Sequence, residues 1–224
     1  WEVVLADDMD ERQVSREASM AKMLTTWQAM QDAADSYTGR KRSVSGLVGG
    51  DGMKMRQYTF RGCAMTGGYV SEVIAEALSM AESNACMRRI VAAPTAGACG
   101  VLPAVLLPLC KYEELTQHQL LEALYVAAGI GSVIAYKASI AGASGGCQAE
   151  IGTASAMAAG ALVALRGGEG EQIGHAVAMA LKNLMGLVCD PVAGLVEVPC
   201  VKRNVIGAVN AVSAADMALA GIES

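Results

Sequence analysis

Along residues 9–36, Val14, Ala18, Ala21, Met23, Leu24, Trp27 and Met30 recur at near-helical spacing with charged residues between them, which predicts one amphipathic helix. The periodicity stops over 37–52. There a basic knot, Arg40-Lys41-Arg42, precedes Ser45-Gly46-Leu47-Val48-Gly49-Gly50-Asp51, a loop by composition. From Gly68 onward helical patterns return over 69–87, 100–110, 116–136, 147–165, 170–185 and 200–220, with short Gly- or Pro-bearing loops between them. Thr116 stands three residues before Gln119, the spacing of a capping box at a helix start. Strand patterns are scarce: 89–93 and 195–198 are too short to found a sheet, and no strand alternates with helix as in βαβ units. No fixed-period repeat or low-complexity linker divides the chain. The expectation is all-α, a compact multi-helix domain over residues 1–224 with Gly/Pro-rich loops brought together.

Composition sharpens that picture. The chain has 224 residues and is 53% hydrophobic, yet it has a single Phe (Phe60) and two Trp (Trp1, Trp27), so Ala, Gly, Val, Leu and Met build the core. A domain of this size buries roughly 70% of its unfolded surface, and small side chains let helices approach closely. Charge excludes one class of partner: the net −5 is spread over mixed signs without the basic stripe that nucleic acid requires. The apolar runs 123–136 and 152–165 are about 14 residues each, short of the ~18–20 needed for a bilayer crossing, and 205–222 is interrupted by Asn210, Ser213 and Asp216. Buried helices, not membrane spans, are expected. The first residue is Trp and no signal-peptide pattern is visible. Seven cysteines in a large apolar chain do not form a disulfide framework, so a reducing, cytoplasmic setting is expected.

Three of those cysteines stand at loop–helix junctions. Cys147 follows Gly142-Ala143-Ser144-Gly145-Gly146, Cys189 precedes Asp190-Pro191, and Cys200 follows Pro199. Glycine and proline interrupt continuous helix, so the sulfurs can project where helix ends converge. Three thiolates would favour zinc or an iron–sulfur cluster. Neither His118 nor His175 has the spacing of a zinc partner. A four-iron cluster on three cysteines leaves one iron open as a Lewis acid. The long gaps between the cysteines also leave open that they are ordinary buried thiols.

The segments Ala92-Ala93-Pro94-Thr95-Ala96-Gly97-Ala98-Cys99-Gly100, Gly142-Ala143-Ser144-Gly145-Gly146-Cys147-Gln148-Ala149-Glu150 and Gly186-Leu187-Val188-Cys189-Asp190-Pro191, continuing through Glu197-Val198-Pro199-Cys200-Val201-Lys202-Arg203-Asn204, closely resemble the catalytic α chain or domain of bacterial iron–sulfur-dependent L-serine dehydratases. The resemblance runs from Ser45 to Gly221. It implies an all-helical catalytic domain, a [4Fe-4S] cluster on Cys147, Cys189 and Cys200, and no pyridoxal phosphate. It also implies a β chain or domain as partner, an oligomeric assembly, and conversion of L-serine to pyruvate and ammonia through an aminoacrylate, a step of amino-acid degradation that feeds gluconeogenesis. Hydroxide is a poor leaving group, and metal coordination would stabilise its developing charge.

Within the matched stretches, Ser45, Gly46, Gly50 and Asp51, together with Thr95, Ala96 and Gly97, offer backbone N–H groups and short hydroxyls suited to a substrate carboxylate. Ser139, Asn183, Arg203 and Asn204 are further candidates for substrate binding or, for the last three, for hydrogen bonds to the sulfurs. The proton-abstracting base is open among Lys54, Lys137, Glu150 and Lys182; Glu150, three residues after Cys147 and on its helical face, is preferred. His175 reads as an ordinary helix histidine. Two departures stand out. Family chains often carry Asn-Ala-Ser-Ile-Ser-Gly where this one has Lys137-Ala138-Ser139-Ile140-Ala141-Gly142, and they usually continue beyond the position of Ser224 through a further helix and a glycine-rich tail. Elimination from L-threonine or L-cysteine, and a non-catalytic helical scaffold with structural metal or buried cysteines, are the alternative readings.

Overall fold

A computed structural model describes residues 1–224. Its order is α1 (Glu2–Arg12), α2 (Arg16–Asp35), α3 (Asp51–Phe60), α4 (Gly67–Ala85), a 3-10 turn (Ala96–Ala98), α5 (Val101–Tyr112), α6 (Gln117–Lys137), α7 (Gly142–Leu165), α8 (Gly170–Asn183) and α9 (Val198–Leu219). The fold is all-α, as its periodicity predicts; the only β feature is an isolated bridge between Val192 and Leu195. The capping box forms, with Thr116 accepting from the Gln119 amide at 3.2 Å and the Gln119 side chain accepting from the Thr116 amide at 3.0 Å.

The structure differs from the sequence reading at three helices. The single helix expected over 9–36 is two, because Gln13 takes a left-handed conformation (φ 53°) and Ser15 starts α2 by accepting from the Ala18 amide at 3.3 Å. Helix α3 falls partly in the expected loop; only Gly52 of its ten residues is buried, so it has no apolar stripe to betray it. Helix α7 starts before Cys147 but breaks at Gly146 (φ 74°, ψ −176°), so its uninterrupted part begins where the periodicity places it.

Helix α7 is the central element, flanked by α5, α6, α8 and α9. Alanine supplies half of the 36-residue main core, and Ala154, Ala156, Ala158, Ala159 and Ala161 are wholly buried on α7. Facing alanines let helix axes draw together toward the ~8 Å end of the normal range. Polar side chains tie the same layer: Ser155 Oγ donates to the Gly207 carbonyl at 2.8 Å, and Asn210 Nδ2 donates to Ser155 Oγ and to the Ala180 carbonyl, both at 2.9 Å. The polar interruption at Asn210 thus cross-links α7, α8 and α9. By length and composition α6 alone is apolar enough to cross a membrane, because the helix extends N-terminally of the run counted in the sequence; here its Leu120, Leu121, Leu124 and Tyr125 are buried in the bundle.

Candidate functional site

The break in α7 sets the position of the first cysteine. A Cβ added at Gly146 would lie 3.3 Å from the Leu187 carbonyl and 3.5 Å from the Cys189 amide, so this residue runs directly against the α8–α9 connection. Gln148 fastens the two segments: its amide donates to the Leu187 carbonyl, and its Oε1 accepts from the Gly186 amide, each at 2.8 Å. Cys147 is buried, Cys189 is exposed on the connection, and Cys200 is half-buried in the first turn of α9 behind Pro199. Arg203, one turn further on, is largely buried. Its Nη1 donates to Cys147 Sγ at 3.0 Å and pairs with Asp190 Oδ1 at 2.5 Å. Burial pushes the Cys200 thiol up to about 11, and the nearby Cys147, Cys189 and Glu150 add to it. Burial likewise raises Cys147, with the Arg203 hydrogen bond opposing. The three thiols lie within one another's field and none is in a disulfide, although no three Cys, His, Asp or Glu side chains form a ready-made metal cage.

Glu150 lies one turn beyond Cys147. Its Oε1 accepts from Thr95 Oγ1, and a Cβ added at Gly97 or Gly142 would lie 2.7 or 2.8 Å from its carboxylate oxygens. The carboxylate fits because both neighbours lack a side chain. Asn204 is fully buried and locks this turn to α9: Nδ2 donates to the Gly97 carbonyl at 2.7 Å and the Cys200 carbonyl at 2.9 Å, while Oδ1 accepts from the Gly100 amide at 2.9 Å. The Ala96 carbonyl accepts from Asn84 Nδ2 at 2.9 Å.

Two buried carboxylates hold the 43–52 segment. Glu197, which starts α9, accepts through Oε2 from Ser43 at 2.8 Å and Ser45 at 2.5 Å. At the other end Glu82 accepts from the Asp51 amide at 2.8 Å, the Gly52 amide at 3.3 Å and the Tyr37 hydroxyl. The amides opening α3, which the sequence offers to a ligand carboxylate, are therefore engaged by the protein's own Glu82. Gly50 lies against the Arg42 guanidinium and Gly46 faces open space. The Asp51 carboxylate bonds to Lys202 and, at 2.8 Å, to Lys54; these bonds, Lys202 first, lower its pKa to about 2. Sequence reasoning misses Glu82 and Glu197. The available signal was an acid set among small or apolar neighbours, Met80-Ala81-Glu82-Ser83 and Leu195-Val196-Glu197-Val198, since a carboxylate that folds inward must find donors.

The other candidates are dispersed. Lys54 is largely exposed and Lys182 and Lys137 are exposed. Ser139 shares a 2.6 Å hydrogen bond with Ser144 and accepts from the Ala141 amide at 3.2 Å, shaping the approach to α7. Asn183 donates to Asn210 Oδ1 at 2.8 Å at the end of the α7–α8–α9 tie.

Comparison with known proteins places the chain in a lineage. A protein of Bacillus subtilis (strain 168) named "Probable L-serine dehydratase, alpha chain" is 45% identical over 223 residues, which is 100% of this chain and 74% of that protein. The "L-serine dehydratase, alpha chain" of Peptoniphilus asaccharolyticus is 39% identical over 225 residues, 100% of this chain and 77% of that one. The "L-serine dehydratase 2" of Escherichia coli (strain K12) is 49% identical over 144 residues, 64% of this chain and 32% of that protein. Residues 1–224 also match, end to end, the family described as serine dehydratase alpha chain, and with relatives that cover the whole length the chain belongs to that family.

Proposed function

We propose that this chain is the catalytic α chain of an L-serine dehydratase, a lyase that converts L-serine to pyruvate and ammonia, with Cys147, Cys189 and Cys200 holding a [4Fe-4S] cluster. The observation that carries the reading is the meeting of three segments far apart in the chain: Gly146, beside Cys147, runs against the Cys189 amide, and Arg203, one turn beyond Cys200, donates to Cys147 Sγ at 3.0 Å and pairs with Asp190. The donor set fits such a group: three free thiols, with a guanidinium donating to one sulfur at 3.0 Å. When bound, a cluster with three cysteine ligands supplies an open iron as Lewis acid for a leaving hydroxide.

The chain's own residues supply the rest. Glu150 accepts the Cα proton at Oε2, since Thr95 occupies Oε1 and fixes the carboxylate's orientation. Loss of that proton and of the β-hydroxyl gives an enamine, which hydrolyses to pyruvate and ammonia. Turn 95–97 and the part of loop 45–51 outside the amides held by Glu82 face the substrate, while Ser139 shapes the approach to α7 through Ser144 and the Ala141 amide. Asn204, with both ends of its amide engaged, positions the turn rather than touching substrate, and Arg203 holds Cys147 and the Asp190 side of the connection. Asn183 supports the same end of the bundle through Asn210. Lys54 and Lys182 are exposed and suit proton abstraction less well than Glu150. The reading includes a β chain as partner in an oligomeric enzyme, and seven unpaired thiols suit a reducing cytoplasm.

The test is anaerobic reconstitution with iron and sulfide, with and without a β chain, followed by metal analysis and an assay for pyruvate from L-serine. About four irons and four sulfides per chain are expected, with loss of both in Cys189→Ser and L-serine preferred over L-threonine and L-cysteine. Stoichiometric zinc in place of iron, or unchanged iron in Cys189→Ser, overturns the cluster assignment.

A further inference from the structure

The two buried carboxylates that fasten the 43–52 segment differ in how far the protein satisfies them. Glu82 has donors on both oxygens: the Asp51 amide on Oε1, and the Gly52 amide and Tyr37 hydroxyl on Oε2. Glu197, only 7% exposed, has them on one, because Ser43 and Ser45 both donate to its Oε2. Each of those hydroxyls also accepts from a backbone amide, Ser45 from Leu47 at 3.1 Å and Ser43 from Val48 at 3.2 Å, which turns its single proton toward the carboxylate. Oε2 is thereby fixed from two sides. Oε1 has no hydrogen-bond partner in the protein, and unlike Glu76 Oε1 it is not sealed from the surface. No lysine, arginine or histidine pairs with this carboxylate.

A carboxylate that has given up most of its hydration, with no cation beside it, is completed most fully by a charged donor from outside the protein. Its place in the fold narrows the choice. Glu197 is the N-cap residue of α9 and Cys200 the third residue of that helix, while the Ser45 it holds opens the loop in which Gly46 faces open space. A metal ion would find no group of three ligands converging here. A ligand carboxylate would meet unpaired negative charge. We propose that Glu197 recognises the α-ammonium group of the amino-acid substrate, Oε1 accepting from it while Oε2, clamped by Ser43 and Ser45, keeps the carboxylate from turning away. This assignment rests on the dehydratase reading above and adds to it the residue that selects amino acids over acids without an amine.

The probes are L-alanine, which carries the ammonium and carboxylate of L-serine but no leaving group, and propanoate, its counterpart without the amine. Both are titrated calorimetrically into the reconstituted chain with its β chain, and the KM for L-serine is measured on the same preparations. The parent should bind L-alanine about tenfold or more tighter than propanoate. In Glu197→Gln that preference should vanish, with propanoate affinity and iron content unchanged and the KM for L-serine raised about tenfold or more. Ser45 is exposed, so Ser45→Ala serves if Glu197→Gln fails to fold: freeing Oε2 on one side should weaken L-alanine severalfold more than propanoate. A parent that does not prefer L-alanine, a folded variant that keeps the preference, or an equal loss of both ligands overturns the assignment. A parent that binds L-alanine with the expected preference yet forms no pyruvate from L-serine overturns the dehydratase reading instead.

Discussion

Asp51 stands between Lys54 on its own helix and Lys202 on α9, and that double pairing has a sign that can be measured. Its folded pKa, about 2, lies below the ~3.9 of an unfolded aspartate, so the pairing stabilises the fold above pH ~4 and is lost as pH falls from ~4 toward 2. The carboxyl is 38% exposed, which limits the effect to below about 1 kcal/mol. Asp51→Asn should therefore lower stability slightly at neutral pH and match the parent near pH 2, as urea titrations at several pH values would show; an equal deficit at every pH would refute the pairing. At this scale much of the candidate site was legible. Cys147, Cys189, Cys200, Glu150 and Thr95 stand out in sequence by their glycine and proline company, and the fold brings them together. Glu82 and Glu197 did not stand out, because their donors are 30 and more residues away and no local spacing announces them.

Between elements, a few fully engaged side chains take the place of regular secondary structure. Asn204 serves three backbone groups on two segments, so Asn204→Ala would leave the Gly97 and Cys200 carbonyls and the Gly100 amide without that partner in a buried setting. The expected destabilisation is about 2–4 kcal/mol, against less than about 1 kcal/mol for the exposed Asn183→Ala, read from urea midpoints by circular dichroism. Similar losses in the two variants would show that Asn204 is not the tie described. Helices with an apolar stripe were readable from periodicity. Helix α3 was not, because its stability comes from Glu82 at its first amides and from packing of Gly52 against α4. The α1–α2 break was hidden because the apolar rhythm starts only at Val14, inside the break, so nothing upstream of it betrays a separate axis, and only the Ser15 cap marks the start of α2.

For the molecule as a whole, the alanine core makes close helix approach the main packing strategy. Ala158→Leu on α7, at a wholly buried alanine of the main core, should destabilise by about 1–3 kcal/mol through overpacking; a neutral or stabilising result would mean that the bundle is looser than its burial indicates. The all-α class was legible from periodicity, and the central position of α7 was not, since it depends on which helices meet across loops. The glycine-rich segment 46–52 is fastened by Glu197 through Ser45 at one end and by Glu82 at the other. A strand of chain with four glycines in seven residues has much disorder to surrender, and here the surrender takes place during folding. A small molecule arriving at this edge meets a rim that is already set, so its affinity is not reduced by the entropy of ordering that rim.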